Sequence, residues 1–255
     1  MGKVVAIANQ KGGVGKTATA VNLTACLGAM ENKILIIDLD PQGNTTSGFG
    51  IVKKQIENSS YHVLIGKVPI EETIFNSAFK NVDVVPAGID LAGAELELVE
   101  MQNRTIRLKA EIARIKEKYK FIIIDCPPSL GMLTLNALSA CDSVIIPVQC
   151  EYYALEGLAQ LIATIRNVKR TYNPYIEIES VLLTMYDSRL NLTHQVVSEV
   201  KKHFPGKVFS TVIPRNVRIA ESPSFGKPVI YYDTVSRGTK AYKLMAEEFL
   251  RKNKQ

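Results

Sequence analysis

Lys3-Val-Val-Ala-Ile-Ala8, running into Asn9-Gln-Lys-Gly-Gly-Val-Gly-Lys16-Thr17, is the stretch that decides the fold. A short apolar run ends in a glycine-rich turn, and residues 16–30 continue with helical character. Strand, glycine turn and helix in that order form the setting in which such a turn grips phosphate. Gly12, Gly13 and Gly15 let the chain turn so that successive N–H groups, that of Val14 among them, face phosphate oxygens. The start of the helix adds the positive end of its dipole. Lys16 can reach the β- and γ-phosphates as a point charge, and the Thr17 hydroxyl can ligate Mg²⁺. The pattern G-x-x-x-x-G-K-[ST] would need glycine at position 10. This chain has Gln10 there, and a second lysine, Lys11, just before the glycines.

Working outward, residues 33–38, 82–86, 121–125, 143–149 and about 178–184 read as strands, with a short one at 207–212. Residues 103–119, 133–141, 154–172, 191–204 and 237–252 have helical spacing, and the basic side chains of 103–119 read as its solvated face. The strands are continuously apolar, as when helices cover both faces of a parallel sheet. The expected fold is α/β: a doubly wound, mostly parallel sheet flanked by helices, forming one P-loop NTPase domain over residues 1–255. Asp125 ends the run Phe121-Ile-Ile-Ile-Asp125, at the carboxyl edge of a strand, where it can hold Mg²⁺ through water. Asp38-Leu-Asp40-Pro-Gln-Gly-Asn44 ends the second strand. Asp40, just past it in a Pro- and Gly-rich turn, is the candidate for positioning an attacking water and a second candidate near the metal. Without the loop at Lys11, Asp38 and Asp40 would be read as helix-cap or turn residues.

The 255 residues carry a net charge of +6 and are 46% hydrophobic, enough for one sizeable core. Residues 1–150 are balanced in charge, so the whole positive excess lies in residues 151–255. That asymmetry hints at a polyanionic partner. No apolar run is long enough to span a membrane or to form a secretory leader, so a cytoplasmic location is expected. Cys26, Cys126, Cys141 and Cys150 lack metal-ligand spacing and read as buried thiols, and His62, His194 and His203 lack it too.

Lys11-Gly-Gly-Val-Gly-Lys-Thr17, Asp38-Leu-Asp-Pro-Gln-Gly-Asn44, Ile124-Asp-Cys-Pro-Pro-Ser129 and Pro147-Val-Gln-Cys-Glu-Tyr-Tyr-Ala-Leu-Glu-Gly157 together resemble the deviant Walker A ATPases. Among these the sequence is most similar to the ParA/Soj partition ATPases. Ile213-Pro-Arg-Asn216 and Glu221-Ser-Pro-Ser-Phe-Gly-Lys-Pro228 extend the likeness over nearly the whole chain. The resemblance implies an ATP hydrolase, slow on its own, whose two subunits close face to face around two Mg²⁺·ATP. It makes Lys11, Gly12, Gly13, Val14, Gly15, Lys16, Thr17 and Ala18 the ATP-binding loop, with Lys11 reaching the partner's phosphates and Gly12 kept small by the partner's backbone. Glu151 would approach the partner's nucleotide, Pro214 and Asn216 would border the adenine, and Lys11, Lys16 and Asp40 would be the catalytic set. The ATP-loaded homodimer would bind double-stranded DNA without sequence preference, on the nucleoid. A ParB/Spo0J-type centromere-binding protein would stimulate hydrolysis. Arg189 and Arg218 match DNA-contact positions, with Lys227, Arg237 and Lys240 as further candidates. The family usually has Thr or Ser at position 18, so Ala18 removes a hydroxyl that could bond the α-phosphate. The absence of an extension before the first strand argues against a fused operator-binding module.

Two rival readings use the same loop. A membrane-positioning ATPase of the MinD type would end in an amphipathic lipid-binding helix, but the stripe Tyr242, Met245, Ala246, Phe249, Leu250 reads as core, and no membrane partner is expected. An electron-transfer enzyme of the nitrogenase-reductase type would need cysteines placed to hold an iron–sulfur cluster, and the context of Cys126 does not match.

Overall fold

A computed structural model describes residues 2–151 and 154–254, with the backbone alone for 154–156. Tyr152 and Tyr153 of the motif at 147–157 lie outside the described residues. The chain opens with β1 (Lys3–Ile7), α1 (Lys16–Ala29) and β2 (Ile34–Asp38). It goes on through α2 (Asn44–Gly48), α3 (Ser60–Ile65), β3 (Phe75–Asn76), β4 (Val82–Val85), α4 (Leu91–Glu97) and α5 (Arg107–Ile115). Then come β5 (Phe121–Asp125), α6 (Met132–Ala140), β6 (Ser143–Gln149), α7 (Ala154–Thr171), β7 (Glu177–Thr184) and α8 (Asn191–His203). α9 (Val217–Glu221), α10 (Val229–Tyr232) and α11 (Arg237–Lys252) close it.

The strands form one sheet in the order β3-β4-β2-β5-β1-β6-β7, parallel except for the short β3 against β4. Alternate residues of each strand feed opposite layers, as the two-residue period of a strand requires. Val4, Ala6, Leu35 and Ile37 pack with α3 to α8, whereas Val5, Ile7, Ile34 and Ile36 pack with α1 and α11. The sheet is therefore covered on both faces, as its continuously apolar strands predict. The apolar stripe of α11 is part of this core, with Tyr242, Met245, Ala246 and Phe249 buried beside α1. Among the described residues no helix is long and apolar enough to cross a membrane. All four cysteines are free and buried, and burial pushes Cys26 and Cys141 up to about 12 and Cys126 well above its usual range, which keeps the thiols protonated.

Three expectations need correction. Residues 207–212 make no strand. They lie along the β7 edge, where Val181 N–H donates to Lys207 O and Phe209 N–H to Val181 O, but next the N–H groups of Ser210 and Thr211 donate to the Glu248 carboxylate at 2.7 and 2.9 Å. Glu248 has thus taken the Thr211 donor that would continue the ladder to β7, together with the outward-facing donor of Ser210. The helix expected over 103–119 is shorter, because Asn103 takes a left-handed φ of 55° in a turn that precedes α5, and a 3₁₀ turn at Lys116–Lys118 ends it. Its basic residues are not all solvated either. Arg107 Nε donates to Leu64 O, and Lys116 pairs with Asp142 at 2.8 Å.

Candidate functional site

The glycine turn joins β1 to α1 at the carboxyl edge of the sheet. Asn9, the first polar residue after the apolar run, fixes its entry: Nδ2 donates to Pro147 O at 2.7 Å while Oδ1 accepts from Lys11 N at 3.0 Å. On the far side the Thr184 hydroxyl, at the end of β7, donates to Val14 O at 2.8 Å. Gly13 and Gly15 have φ of 74° and 88°, the left-handed region that glycine enters without strain. Gly12 is different. Its φ is ordinary, and a Cβ built on it would meet nothing within 4 Å, so nothing in its own chain requires glycine there.

Lys16 is buried and donates to Lys11 O at 2.9 Å, lying across the turn. Burial lowers its pKa, against the opposing pull of Asp125 and, more weakly, Asp40. Asp38 and Asp125 are cross-strand partners on β2 and β5, both fully buried. Burial pushes Asp125 up to about 8, and the neighbouring Asp38 carboxylate pushes the same way. Asp38 also rises, to about 6, mainly through burial, while donors from Thr46 and Asp40 hold it down. Asp125 Oδ2 accepts from the Thr45 hydroxyl at 2.8 Å, and the Thr17 hydroxyl lies close enough to favour the ionised form. Asp125 Oδ1 is buried with no hydrogen-bond partner. A buried carboxylate oxygen left unpaired beside a hydroxyl and an ammonium suits a small divalent cation. Among the described residues no three His, Cys, Asp or Glu converge as a ligand set, so such an ion would have to keep waters or draw oxygens from a phosphate.

Asp38 is no mere turn residue. Its Oδ2 accepts from Thr46 N at 2.9 Å and Thr46 Oγ1 at 2.7 Å, and its Oδ1 from Asp40 N at 3.1 Å. It thereby ties the end of β2 to α2 and sets the turn carrying Asp40, whose Oδ1 accepts from Gln42 N at 2.9 Å. The sequence signal for this was two hydroxyls, Thr45 and Thr46, following two acids after a buried strand.

Beside the glycine turn opens a cavity of about 570 Å³. Gly15, Thr17 and Ala18 form one wall; Met185, just after β7, and Pro214 and Asn216, about two hundred residues from the loop, line the rest. Met185 takes a φ of 50°, a conformation that a non-glycine residue rarely holds, at the cavity wall. Asn216 caps α9 by accepting from Ile219 N. Glu151 stands outside this cavity and pairs with Lys11 of its own chain at 3.3 Å.

The five cationic candidates for DNA contact are all exposed. Arg218 on α9 pairs with Glu221 at 2.9 Å and Asp233 at 3.3 Å, and α11, with Arg237 and Lys240, packs on α9 through Gly238, where a Cβ would meet Ile219 at 2.6 Å. Arg189 pairs with Asp187 at 2.6 Å in a loop drawn alongside by a bridge from Tyr186 to Pro214. Lys227 follows the Gly226 turn that packs on Gly50.

Comparison with known proteins follows the same lines. A family model described as an AAA domain matches residues 2–178. The chain is 56% identical to the sporulation initiation inhibitor protein Soj of Bacillus subtilis, over 97% of this chain and 98% of that one. It is 51% identical to the chromosome partitioning protein ParA of Myxococcus xanthus, over 99% and 89%. Among solved structures it is similar to cobyrinic acid a,c-diamide synthase from Mycobacterium smegmatis with bound ADP and magnesium, with a TM-score of 0.86, 36% identity, and 98% and 95% coverage.

Proposed function

The chain belongs to the family of Soj and ParA chromosome-partitioning ATPases, and from that premise we propose that it binds and hydrolyses Mg²⁺·ATP and acts as an ATP-dependent homodimer on DNA. The observation that carries the nucleotide reading is the unpaired buried Oδ1 of Asp125, set beside Thr17 and Lys16 at the mouth of a glycine turn. In this reading the backbone of residues 11–18 cradles the phosphates and Lys16 leaves Lys11 O to reach them. Thr17, and Asp125 through water, would hold the Mg²⁺, which would neutralise charge on the phosphate oxygens. Asp40 orients the attacking water, and the cavity bounded by Pro214 and Asn216 receives the base.

Dimerisation is supported by two features that make little sense within one chain. Gly12 is a glycine with neither a backbone nor an intrachain reason, which leaves the space above it for a partner. Lys11 is half-exposed and rests on Glu151, a pair worth little in water and easily exchanged for a partner's phosphate. The exposed cations Arg189, Arg218, Arg237 and Lys240, on neighbouring elements, support a DNA-binding edge, with Lys227 a further contact. Stimulation by a ParB/Spo0J-type protein, slow unstimulated turnover and location on the nucleoid in the cytoplasm belong to the same reading. The MinD-type alternative gains nothing from α11, whose apolar stripe is already buried.

Sedimentation of the purified protein tests the proposal. ATP should convert a single subunit into a dimer that travels with duplex DNA, ADP should not, and Asp40→Ala should stay dimeric on DNA. A chain that remained a single subunit with every nucleotide, and ignored DNA in dilute buffer, would end this reading.

A further inference from the structure

The turn Asp40-Pro41-Gln42-Gly43 is held unevenly. From inside, buried Asp38 grips both ends, through Asp40 N at one and Thr46 at the other, and Gly43 N donates to Asp40 O at 2.8 Å. The middle of the turn faces outward, with Gln42 exposed. There the backbone has one tie from elsewhere: Lys53 Nζ donates to Gln42 O. The lysine stem also lies against Gly43, where a Cβ would come within 2.8 Å of Lys53 Cε and equally of Ala87 O. Gly43 takes a φ of 60° and caps α2, and both Ala87 O and the lysine stem press on the side where a Cβ would stand, so only glycine lets the turn sit against them. Lys53 makes no ion pair among the described residues, and its short 3₁₀ turn (Lys53–Gln55) buries nothing. What it does touch is this turn.

We propose that Lys53 is a positioning residue for ATP hydrolysis: it clips the outer side of the turn so that the Asp40 carboxylate points at the attacking water. The proposal rests on the reading of Asp40 given above. A hydrolytic group must be held within fractions of an ångström of its productive place, and a small displacement costs rate while leaving substrate affinity alone. Asp38 fixes where the turn begins and ends, and Lys53 restricts how its crest is tilted.

The test compares Lys53→Met, which keeps the stem without the donor, with Lys53→Arg, which restores a donor, and with Asp40→Ala. Each is measured for kcat at saturating Mg²⁺·ATP, for affinity with a fluorescent ATP analogue, and for the ATP-dependent dimer by sedimentation. Lys53→Met should lower kcat about three- to tenfold, the scale of one lost hydrogen bond, with affinity and dimerisation unchanged, and Lys53→Arg should recover most of it. Asp40→Ala should be inactive. Normal kcat in Lys53→Met beside an inactive Asp40→Ala overturns the role of Lys53 alone. Equal losses of affinity, dimer and kcat also overturn it, because they indicate general disruption. A fully active Asp40→Ala removes Asp40 from the mechanism, and this proposal with it.

Discussion

Asp38 and Asp125 sit side by side on adjacent strands, two buried acids within one layer of the sheet, and this fixes how the protein should respond to pH. Both carboxyls have pKa values raised by burial, Asp125 to about 8 and Asp38 to about 6. A raised carboxyl binds its proton more tightly in the folded chain than in the unfolded one, so its contribution to stability is largest in acid. That contribution falls as pH rises from the unfolded value, near 4, through the folded values. A divalent cation reverses the sign locally, because it binds the ionised form and releases protons. Asp125→Asn should therefore raise the thermal midpoint of the nucleotide-free protein by a few degrees at about pH 8.5 and by less at about pH 6. The same variant should lose the stabilisation by Mg²⁺·ATP that the parent shows. Thermal shift at the two pH values checks both, and a midpoint change independent of pH would show that Asp125 is not the titrating group.

Elements in this chain are made or unmade by single side chains. α2 is only five residues long and its N-cap, Gly43, offers no side chain, yet it is held because Asp38 accepts from Thr46 N, Thr45 and Thr46 bond the two buried acids, and Ala87 N donates to Thr46 Oγ1 at 2.9 Å. The opposite happens at residues 207–212, where Glu248 of α11 takes the N–H groups of Ser210 and Thr211 and also accepts from the Thr211 hydroxyl at 2.8 Å. These donors hold the Glu248 pKa below its usual value despite the burial of the side chain. Glu248→Ala would leave two part-buried backbone donors without their acceptor, so it should cost about 1–3 kcal/mol. Urea unfolding of the nucleotide-free protein would measure that. A loss under about 0.5 kcal/mol would mean that water replaces the carboxylate there.

On the scale of the whole molecule, the positive excess of residues 151–255 is split between two layers. α7 and α8 carry Arg166, Lys169, Lys201 and Lys202 on the layer that packs with α3 to α6, whereas α9 and α11 carry Arg218, Arg237 and Lys240 on the layer of α1. Among the described residues, only the second group adjoins the cavity proposed for the base, through α9 and its Asn216 cap. In the proposed reading, a base at that cavity would press on the element that presents Arg218 and so would couple nucleotide state to the proposed DNA-binding edge. Arg218→Glu should weaken binding to any duplex sequence at low salt and flatten the dependence of log K on log salt by about one unit, the share of a single phosphate. ATP affinity should stay unchanged. Fluorescence anisotropy over a salt series reads both, and an unaltered slope would exclude Arg218 from the interface.

The sequence by itself determined the doubly wound sheet and the phosphate turn. Both rest on local pattern: apolar runs at strand length, helical spacing, and seven consecutive residues whose backbone conformation and charge lie within one turn of chain. It also placed Asp125 at the carboxyl edge, because an acid that ends an apolar strand in such a sheet must emerge there, and Asp40 in the turn just past the next such strand. Only the tertiary structure decided the rest. Asp38 had two readings until its three donors were seen; residues 207–212 carried a strand pattern until Glu248, some forty residues on, took their hydrogen bonds. Pro214 and Asn216 met Thr17 across about two hundred residues, and Lys53 reached Gln42 across a loop with no periodic signal. Periodicity reports which face of an element is buried, whereas a hydrogen bond between distant segments depends on how the layers pack, and no local pattern contains that.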